Sequence, residues 1–245
     1  MVRILSLVLL GLLAVALLRP QPEPDRTILF VGNSFTYQHD VPGLVRQIAA
    51  TSDTPLRYGV SMHVRAGTAL YEHLNETDPL SSIRSKEWDV VVLQDASAMP
   101  FDPRYIKLME AATATLAEAA KQQGAELVYY AHWAPAQERH DETGAVRRIE
   151  NTYHRISRRT GGGVASAGRL WNAAAHAGLQ GLYAADDHHA TLTGAYAAAL
   201  AIAAAVGDVD PTTSGWAPNG VSAEDQALLQ RLLSRIEGPR RIVTD

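Results

Sequence analysis

Residues 28–37 read ILFVGNSFTY, a run of apolar side chains that passes directly into a glycine, an amide and a hydroxyl. The apolar run favours a buried β-strand, and Gly32 marks its end. Ser34 lies just beyond that strand, where a serine either caps the next helical turn or serves as a nucleophile. This stretch alone leaves both interpretations open.

Four further strand-like segments follow, each separated from the next by helix-like sequence. They read RYGVSMHV, WDVVVLQ, ELVYYAHW and GVASAG. Continuous apolar strands that alternate with helices indicate a parallel sheet covered on both faces. The sequence therefore predicts one α/β domain over residues 26–245, and ligands of such sheets bind beyond the carboxyl ends of the strands.

Two of the predicted helices have distinctive faces. The segment from residue 105 to 124 is amphipathic and is closed by Gly124. Its predicted buried face comprises Tyr105, Leu108, Met109, Ala112, Leu116 and Ala119. The segment TLTGAYAAALAIAAAV, residues 191–206, is apolar nearly all round and is therefore predicted to lie inside the domain.

Composition excludes several classes of function. The 245-residue chain is 47% hydrophobic and 20% charged, with a net charge of −4 and no block of like charge. This balance does not favour nucleic acid or an anionic membrane surface as a partner. The chain contains no cysteine, so disulfides, thiolate metal sites and a cysteine nucleophile are excluded.

The first 25 residues are predicted to be a signal peptide or membrane anchor followed by a Pro-rich linker. Arg3 precedes a largely apolar stretch, Ile4 to Leu18, and RPQPEP follows. This stretch is shorter than the roughly 20 residues that span a bilayer comfortably, and Ala14-Val15-Ala16 offers a small-x-small cleavage site. We expect export to the periplasm or the exterior of the cell. The alternative is an uncleaved anchor, and we expect membrane contact only through this segment.

A second polar stretch, YAADDHHATLTGAY, comes immediately before the Ala-rich helix. A serine hydroxyl needs a general base, usually a histidine that a carboxylate orients. Asp186 and His189 stand three residues apart and could supply both groups. The alternatives are a capping aspartate beside surface histidines, and a metal site completed by other histidines of the chain. Those histidines are His63, His73 and His132.

Together these stretches resemble the SGNH (GDSL-like) hydrolase family. ILFVGNSFT is similar to its nucleophile block, and DDHHATLTGAY is similar to its last block. VRAGTALYEHL resembles the glycine block, WDVVVLQDAS the third-strand block of a subgroup with Leu-Gln in this strand, and GVASAGRLWNAA the segment before the last block. The resemblance covers roughly residues 27–206.

This resemblance implies a flavodoxin-like, three-layer α/β/α sandwich with a mostly parallel five-stranded sheet. It also implies a catalytic triad of Ser34, Asp186 and His189, with Gly67 as a backbone donor to the oxyanion. The implied chemistry is ester hydrolysis through an acyl-enzyme, without a metal or organic cofactor.

The third-strand block departs from the common family pattern, Gly-x-Asn-Asp, whose Asn side chain donates to the oxyanion. Aligned without a gap from Asp89, Ala96 stands at the Gly position and Ala98 at the Asn position. Gln94 is the nearest side-chain amide and is the expected substitute donor, unless it only ends the strand. The predicted oxyanion hole therefore comprises Ser34, Gly67, Gln94 and Asn33.

Two functions follow from these residues. The first is an exported serine esterase acting on a small-molecule or glycan ester, with a carbohydrate O-acetylesterase favoured over a lipase. Trp133 and Trp171 could line a sugar site, although core packing is the more ordinary role for either. The second is a catalytically weak or inactive binding module for acylated glycans, which the missing Asn favours and the Ser, Asp and His set disfavours.

Overall fold

The computed structural model describes residues 23–101 and 103–237, so the predicted signal or anchor segment lies outside it except for residues 23–25. Five strands form one sheet in the order β2-β1-β3-β4-β5, and every neighbouring pair is parallel. The strands are β1 (Arg26–Gly32), β2 (Tyr58–Val64), β3 (Val90–Leu93), β4 (Glu126–Tyr130) and β5 (Gly163–Ala165). The predicted parallel α/β architecture is confirmed, and all five strand-like segments form strands.

The helices cover both faces of this sheet. They are α1 (Ser34–Tyr37), α2 (Val41–Ala50), α3 (Leu70–Glu76), α4 (Pro79–Arg84), α5 (Pro103–Gln122), α6 (Glu142–Thr160), α7 (Ala167–His176), α8 (Leu192–Val206) and α9 (Ala223–Glu237). Short 3₁₀ helices lie at Gln38–Asp40, Ala136–Asp141 and Pro211–Thr213. None of the helices described is both long enough and apolar enough to span a membrane.

Alternate side chains of the strands enter two separate cores. Ile28 and Phe30 of β1 pack with helices α2, α7, α8 and α9 on one face. Leu29 and Val31 pack with α3, α5 and α6 on the other face. Because both faces are covered, the strands are apolar without interruption, as the sequence suggested.

The amphipathic helix α5 differs from the prediction in its first turns. Met109, Ala112 and Leu116 are buried, whereas Tyr105 is 39% exposed and Leu108 is 42% exposed. The helical period assigns a face but does not say where along the helix its neighbours begin. The first turns of α5 extend past that part of the core.

The strand order identifies the place on this sheet where ligands bind in such an architecture. The chain runs from β1 outward to β2 and then returns to β3 on the opposite side of β1. The connections that follow β1 and β3 therefore run in opposite directions, and this is the point at which ligands of such sheets bind. Ser34 directly follows β1 at this point.

Candidate active site

Ser34 is held at the junction between β1 and the four-residue helix α1. The Asn33 side chain accepts a hydrogen bond from Phe35 N–H at 3.1 Å and so caps this turn. The Asn33 carbonyl accepts from the N–H groups of Thr36 and Tyr37. Ser34 is 8% exposed, so little of this residue reaches solvent.

Gly32 lets this turn pack tightly against β3. A Cβ at this position would lie 2.5 Å from Thr36 Oγ1 and 2.6 Å from Gln94 Oε1. Neither atom lies at the end of a side chain with room to move, because Thr36 and Gln94 are both buried. Glycine is therefore required by close approach at the residue before Asn33.

Asp186 organises the loop that carries the two histidines. Its Oδ1 accepts the backbone N–H groups of His188 at 3.1 Å and His189 at 2.9 Å. Asp187 takes a left-handed backbone conformation, with φ of 59°, and its N–H donates to the Ala184 carbonyl. The loop is thus closed by local hydrogen bonds just before α8.

A continuous line of hydrogen bonds connects this loop to Ser34. His189 Nδ1 lies 2.5 Å from Asp186 Oδ2, and His189 Nε2 lies 2.9 Å from Ser34 Oγ. Because the carboxylate can only accept, Nδ1 carries the proton and Nε2 is free to accept the Ser34 hydroxyl proton. The fold brings together all three predicted triad side chains, across 155 positions of sequence between Ser34 and His189.

The electrostatics favour a charged carboxylate beside this imidazole. The hydrogen bond from the His189 ring, together with the two backbone N–H groups, holds the pKa of Asp186 well below its usual range. Asp186 is about half exposed, so solvent screens part of this interaction. The carboxylate is nevertheless available to stabilise an imidazolium at His189.

His188 has a different environment from its neighbour. Its ring packs 5.0 Å from the Phe35 ring, and its backbone carbonyl accepts the Trp133 indole N–H at 2.9 Å. Burial lowers the pKa of His188, and the adjacent His189 lowers it further. His188 therefore contributes packing and a backbone acceptor to this site.

Gln94 does not point its amide nitrogen at Ser34, which corrects the expectation that it donates to an oxyanion. The side chain is 1% exposed, and its Nε2 donates to the Asp95 carbonyl. Its Oε1 accepts from Asn33 N–H at 3.0 Å and from Thr36 Oγ1 at 2.9 Å. An acceptor faces the Ser34 turn, so a donor role is incompatible with these hydrogen bonds.

Asn33 is likewise occupied by structural hydrogen bonds. Its Nδ2 donates to the Thr68 carbonyl at 3.2 Å, while its Oδ1 caps Phe35 N–H. The residue is 3% exposed. It links the Ser34 turn to the loop that contains Gly67.

The two expected backbone donors remain. Gly67 lies on an exposed loop between β2 and α3, in the left-handed region with φ of 65°. In the part of the chain described here, neither Ser34 N–H nor Gly67 N–H donates a hydrogen bond to protein. Both groups are therefore available to a ligand.

The tryptophans do not line a sugar site. Trp133 and Trp171 are fully buried, and their rings stack 4.2 Å apart. Trp133 also stacks on Phe35 at 4.3 Å, so the pair supports the Ser34 turn from below. Core packing, the more ordinary interpretation, is the one this geometry supports.

The histidines considered for a metal site belong to other clusters. His63 and His73 share Thr77 Oγ1, at 2.8 Å from each ring, and His73 Nε2 donates to the Gly32 carbonyl. His132 is fully buried and donates from Nδ1 to the Trp133 carbonyl. These contacts are structural, and only the rings of His73 and His132, among the three, contact residues next to Ser34.

Sequence reasoning missed the polar residues that support the site. Asp95 is fully buried and accepts Leu70 N–H at 3.0 Å through Oδ1. Thr36 and Thr68 hold the turns on either side of Asn33. The available signal was a charged residue directly after a buried strand, which has to find partners at the sheet edge.

Comparison with known proteins agrees with this geometry at the level of fold. No protein-family model matches the chain, and no curated protein matches it significantly. Among solved structures, a Slackia heliotrinireducens protein assigned to the SGNH hydrolases is 27% identical, with 74% of this chain and 99% of that chain covered and a TM-score of 0.63. The chain has the SGNH hydrolase fold.

Two further solved structures share the fold of this chain at lower identity. A DUF4886 family protein from Bacteroides uniformis is 16% identical, and the match covers 86% of this chain and 93% of that protein, with a TM-score of 0.69. An acetyl-xylooligosaccharide esterase from Geobacillus is 15% identical, covers 77% and 97%, and has a TM-score of 0.56. The resemblance to SGNH hydrolases is thus confirmed, whereas the Leu-Gln subgroup stays a prediction.

Proposed function

We propose that this chain is an exported serine esterase that hydrolyses carboxylic esters through an acyl-enzyme. The observation that carries the proposal is the unbroken line of hydrogen bonds from Asp186 through His189 to Ser34 Oγ. This arrangement supplies a nucleophile, a base and an orienting carboxylate in one contact chain. The SGNH hydrolases among the structural neighbours support the same reaction class.

In the proposed mechanism, Ser34 Oγ attacks the ester carbonyl carbon and its proton passes to His189 Nε2. Ser34 N–H and Gly67 N–H receive the negative charge that develops on the carbonyl oxygen. The tetrahedral intermediate then collapses, and the leaving alcohol takes the proton from His189. Water repeats these steps on the acyl-enzyme, releasing the acid and restoring the Ser34 hydroxyl.

Asp186 holds the reactive tautomer throughout this cycle. It accepts the proton on Nδ1 and stays ionised, because its pKa is held well below the usual range by the His189 ring. The charged carboxylate stabilises the imidazolium that exists while Nε2 carries the serine proton.

An acetylated carbohydrate is the substrate class that we favour. The acetyl-xylooligosaccharide esterase that shares the fold supports this choice. Hydrolysis of acetylated oligosaccharides should then exceed that of aryl esters with long acyl chains. Faster release of long-chain acids would replace the carbohydrate assignment with a lipolytic one.

The decisive experiment is p-nitrophenyl acetate hydrolysis by the wild-type protein and by Ser34→Ala. The wild type should turn over, and Ser34→Ala should lose at least about a thousandfold in kcat/KM, because the nucleophile is removed. Ser85→Ala is the matched control and should keep full activity, because Ser85 is an exposed serine at the end of helix α4. A fluorophosphonate adduct should map by mass spectrometry to the peptide that contains Ser34.

A catalytically weak binding module for acylated glycans is the second candidate. It is favoured by Gln94, whose amide nitrogen is bonded to Asp95 instead of facing the Ser34 hydroxyl. Binding of an acetylated oligosaccharide without Ser34-dependent turnover would select this candidate over the esterase.

Export is proposed from the N-terminal sequence alone. Arg3, the Ile4–Leu18 stretch and Ala14-Val15-Ala16 suit a cleaved signal. N-terminal sequencing of protein recovered outside the cytoplasm should give a chain that begins near Leu17. A full-length chain in the membrane fraction would instead support an uncleaved anchor.

A further inference from the structure

Two residues at the end of strand β3 contact the two segments that carry the backbone donors. Gln94 and Asp95 follow Leu93 and are 1% and 0% exposed. Polar side chains buried to this degree require hydrogen-bond partners. Gln94 finds its partners next to Ser34, and Asp95 finds one just after the Gly67 loop.

Gln94 binds the loop that carries Ser34. Its Oε1 accepts Asn33 N–H at 3.0 Å and the Thr36 hydroxyl at 2.9 Å. The orientation of the amide follows from its other end, where Nε2 donates to the Asp95 carbonyl. A flipped amide would set an N–H against Asn33 N–H and a carbonyl against a carbonyl, so only one orientation is stable.

Asp95 binds the loop that carries Gly67. Its Oδ1 accepts Leu70 N–H at 3.0 Å and its own neighbour Ala96 N–H at 2.7 Å. Leu70 begins helix α3, three residues after Gly67. Asn33 Nδ2 links the two loops directly, because it donates to the Thr68 carbonyl.

We propose that Gln94 and Asp95 are positioning residues that fix the distance between Ser34 N–H and Gly67 N–H. The inference rests on the proposed esterase function, in which these two groups bind the oxyanion. One side chain holds the residue before Ser34, and the other holds the helix that ends the Gly67 loop. Donors held in place before reaction stabilise the oxyanion without reorganisation, and a misplacement of about 1 Å can cost ~10²-fold in rate.

Gln94→Glu gives a test within one variant. While its new carboxyl group is protonated, the variant reproduces the glutamine pattern, because the carbonyl accepts from Asn33 and Thr36 and the O–H donates to the Asp95 carbonyl. Once ionised, the same group turns a negative oxygen toward that carbonyl and breaks the pattern. Burial raises the pKa of a carboxyl group, so this ionisation falls within an accessible pH range.

The expected result is a pH-dependent ratio of kcat between Gln94→Glu and the wild type. The ratio should lie within about threefold of one at pH 5 and fall at least tenfold by pH 8, with KM nearly unchanged. Dividing by the wild type removes from the comparison the pH dependence that the two proteins share. Thermal melting of each protein at both pH values verifies that the assay temperature leaves the fold intact.

Four further substitutions separate positioning from direct donation. Thr36→Val removes one partner of Gln94 and should itself lower kcat, and Gln94→Met should then cost less in the Thr36→Val background than in the wild type. If Gln94 donated directly to the oxyanion, Thr36→Val would be nearly neutral and Gln94→Met would cost the same in both backgrounds. Asp95→Asn retains an acceptor for Leu70 N–H and should keep kcat within about threefold, whereas Asp95→Leu should not.

The reference measurement is the Ser34 dependence of wild-type turnover. If turnover depends on Ser34 and the Gln94→Glu ratio is flat from pH 5 to pH 8, the positioning role is overturned while the esterase stands. If turnover does not depend on Ser34, the esterase and the positioning role are both overturned.

Discussion

At the scale of single residues, the adjacent histidines of the Asp186 loop face different groups. His189 contacts Ser34 Oγ and Asp186, while the His188 ring packs on Phe35. His189→Ala should therefore reduce kcat/KM by roughly 10²–10⁴-fold, the usual contribution of a general base. His188→Ala is the matched control and should change it by less than about tenfold.

Steady-state kinetics on a p-nitrophenyl ester tests this pair directly. A larger loss of kcat/KM in His188→Ala than in His189→Ala would contradict the proposed triad and would indicate His188 as the general base. Circular dichroism of both variants shows whether the loop changes leave the domain folded.

Single residues also mark where sequence reasoning stopped. The spacing of Asp186 and His189 predicted that one loop could supply both groups, and the fold brings them to Ser34. Gln94 was correctly selected as a polar residue at the sheet edge but wrongly given a donor role. An amide offers both a donor and an acceptor, and only its partners in three dimensions decide which of them faces Ser34.

At the scale of elements, the Ala-rich helix α8 fixes the Asp186 loop that precedes it. Thr191 caps the helix by accepting Gly194 N–H, and the Trp171 indole N–H donates to the Gly194 carbonyl at 2.9 Å. A Cβ on Gly194 would lie 2.3 Å from Trp171 Cζ2 and 2.4 Å from the Leu182 carbonyl oxygen. This position has no room for a methyl group.

Gly194→Ala should accordingly destabilise the protein, although alanine favours helices. Overpacking a buried site costs about 1–3 kcal/mol, which exceeds the ~1 kcal/mol that alanine gains over glycine in a helix. Gly215→Ala is the matched control, because a Cβ there meets no atom within 4 Å. Urea unfolding measures both, and equal stability of Gly194→Ala and wild type would contradict the tight packing.

Elements were the most predictable level of this molecule. Uninterrupted apolar strands such as VVVL of β3 can only be buried on both faces, and that requirement dictates the parallel sheet and its two helical layers. The assignment of Tyr105 and Leu108 to the buried face failed because a helical period carries no information on the length of neighbouring elements.

At the scale of the whole molecule, two buried groups give the free energy of unfolding opposite dependences on pH. Burial raises the pKa of Asp95 to about 7, and burial lowers the pKa of His132 to about 4. In the unfolded chain the two pKa values return to about 3.9 and about 6.5. Between about pH 4 and pH 7, Asp95 therefore releases a proton on unfolding, and His132 takes one up.

The signs follow from proton linkage. The folded state keeps the Asp95 proton that the unfolded state loses, so the stability due to Asp95 is full below about pH 4 and is lost as the pH rises to about 7. The unfolded state gains a proton at His132 that the folded state refuses, so the stability due to His132 is full above about pH 6.5 and is lost as the pH falls to about 4. Between pH 5 and pH 7 the two effects oppose each other.

Replacing either group should remove its own contribution to the pH dependence of the free energy of unfolding and leave that of the other. Asp95→Asn should gain stability relative to wild type by about 2–3 kcal/mol more at pH 8 than at pH 5, at 1.36 kcal/mol per pKa unit. His132→Gln, which keeps an N–H for the Trp133 carbonyl, should instead gain about 2 kcal/mol relative to wild type as the pH falls from 7 to 5. Urea unfolding of the three proteins at pH 5, 7 and 8 measures these differences. Parallel pH profiles for all three proteins would contradict the burial of Asp95 and His132 in their uncharged forms.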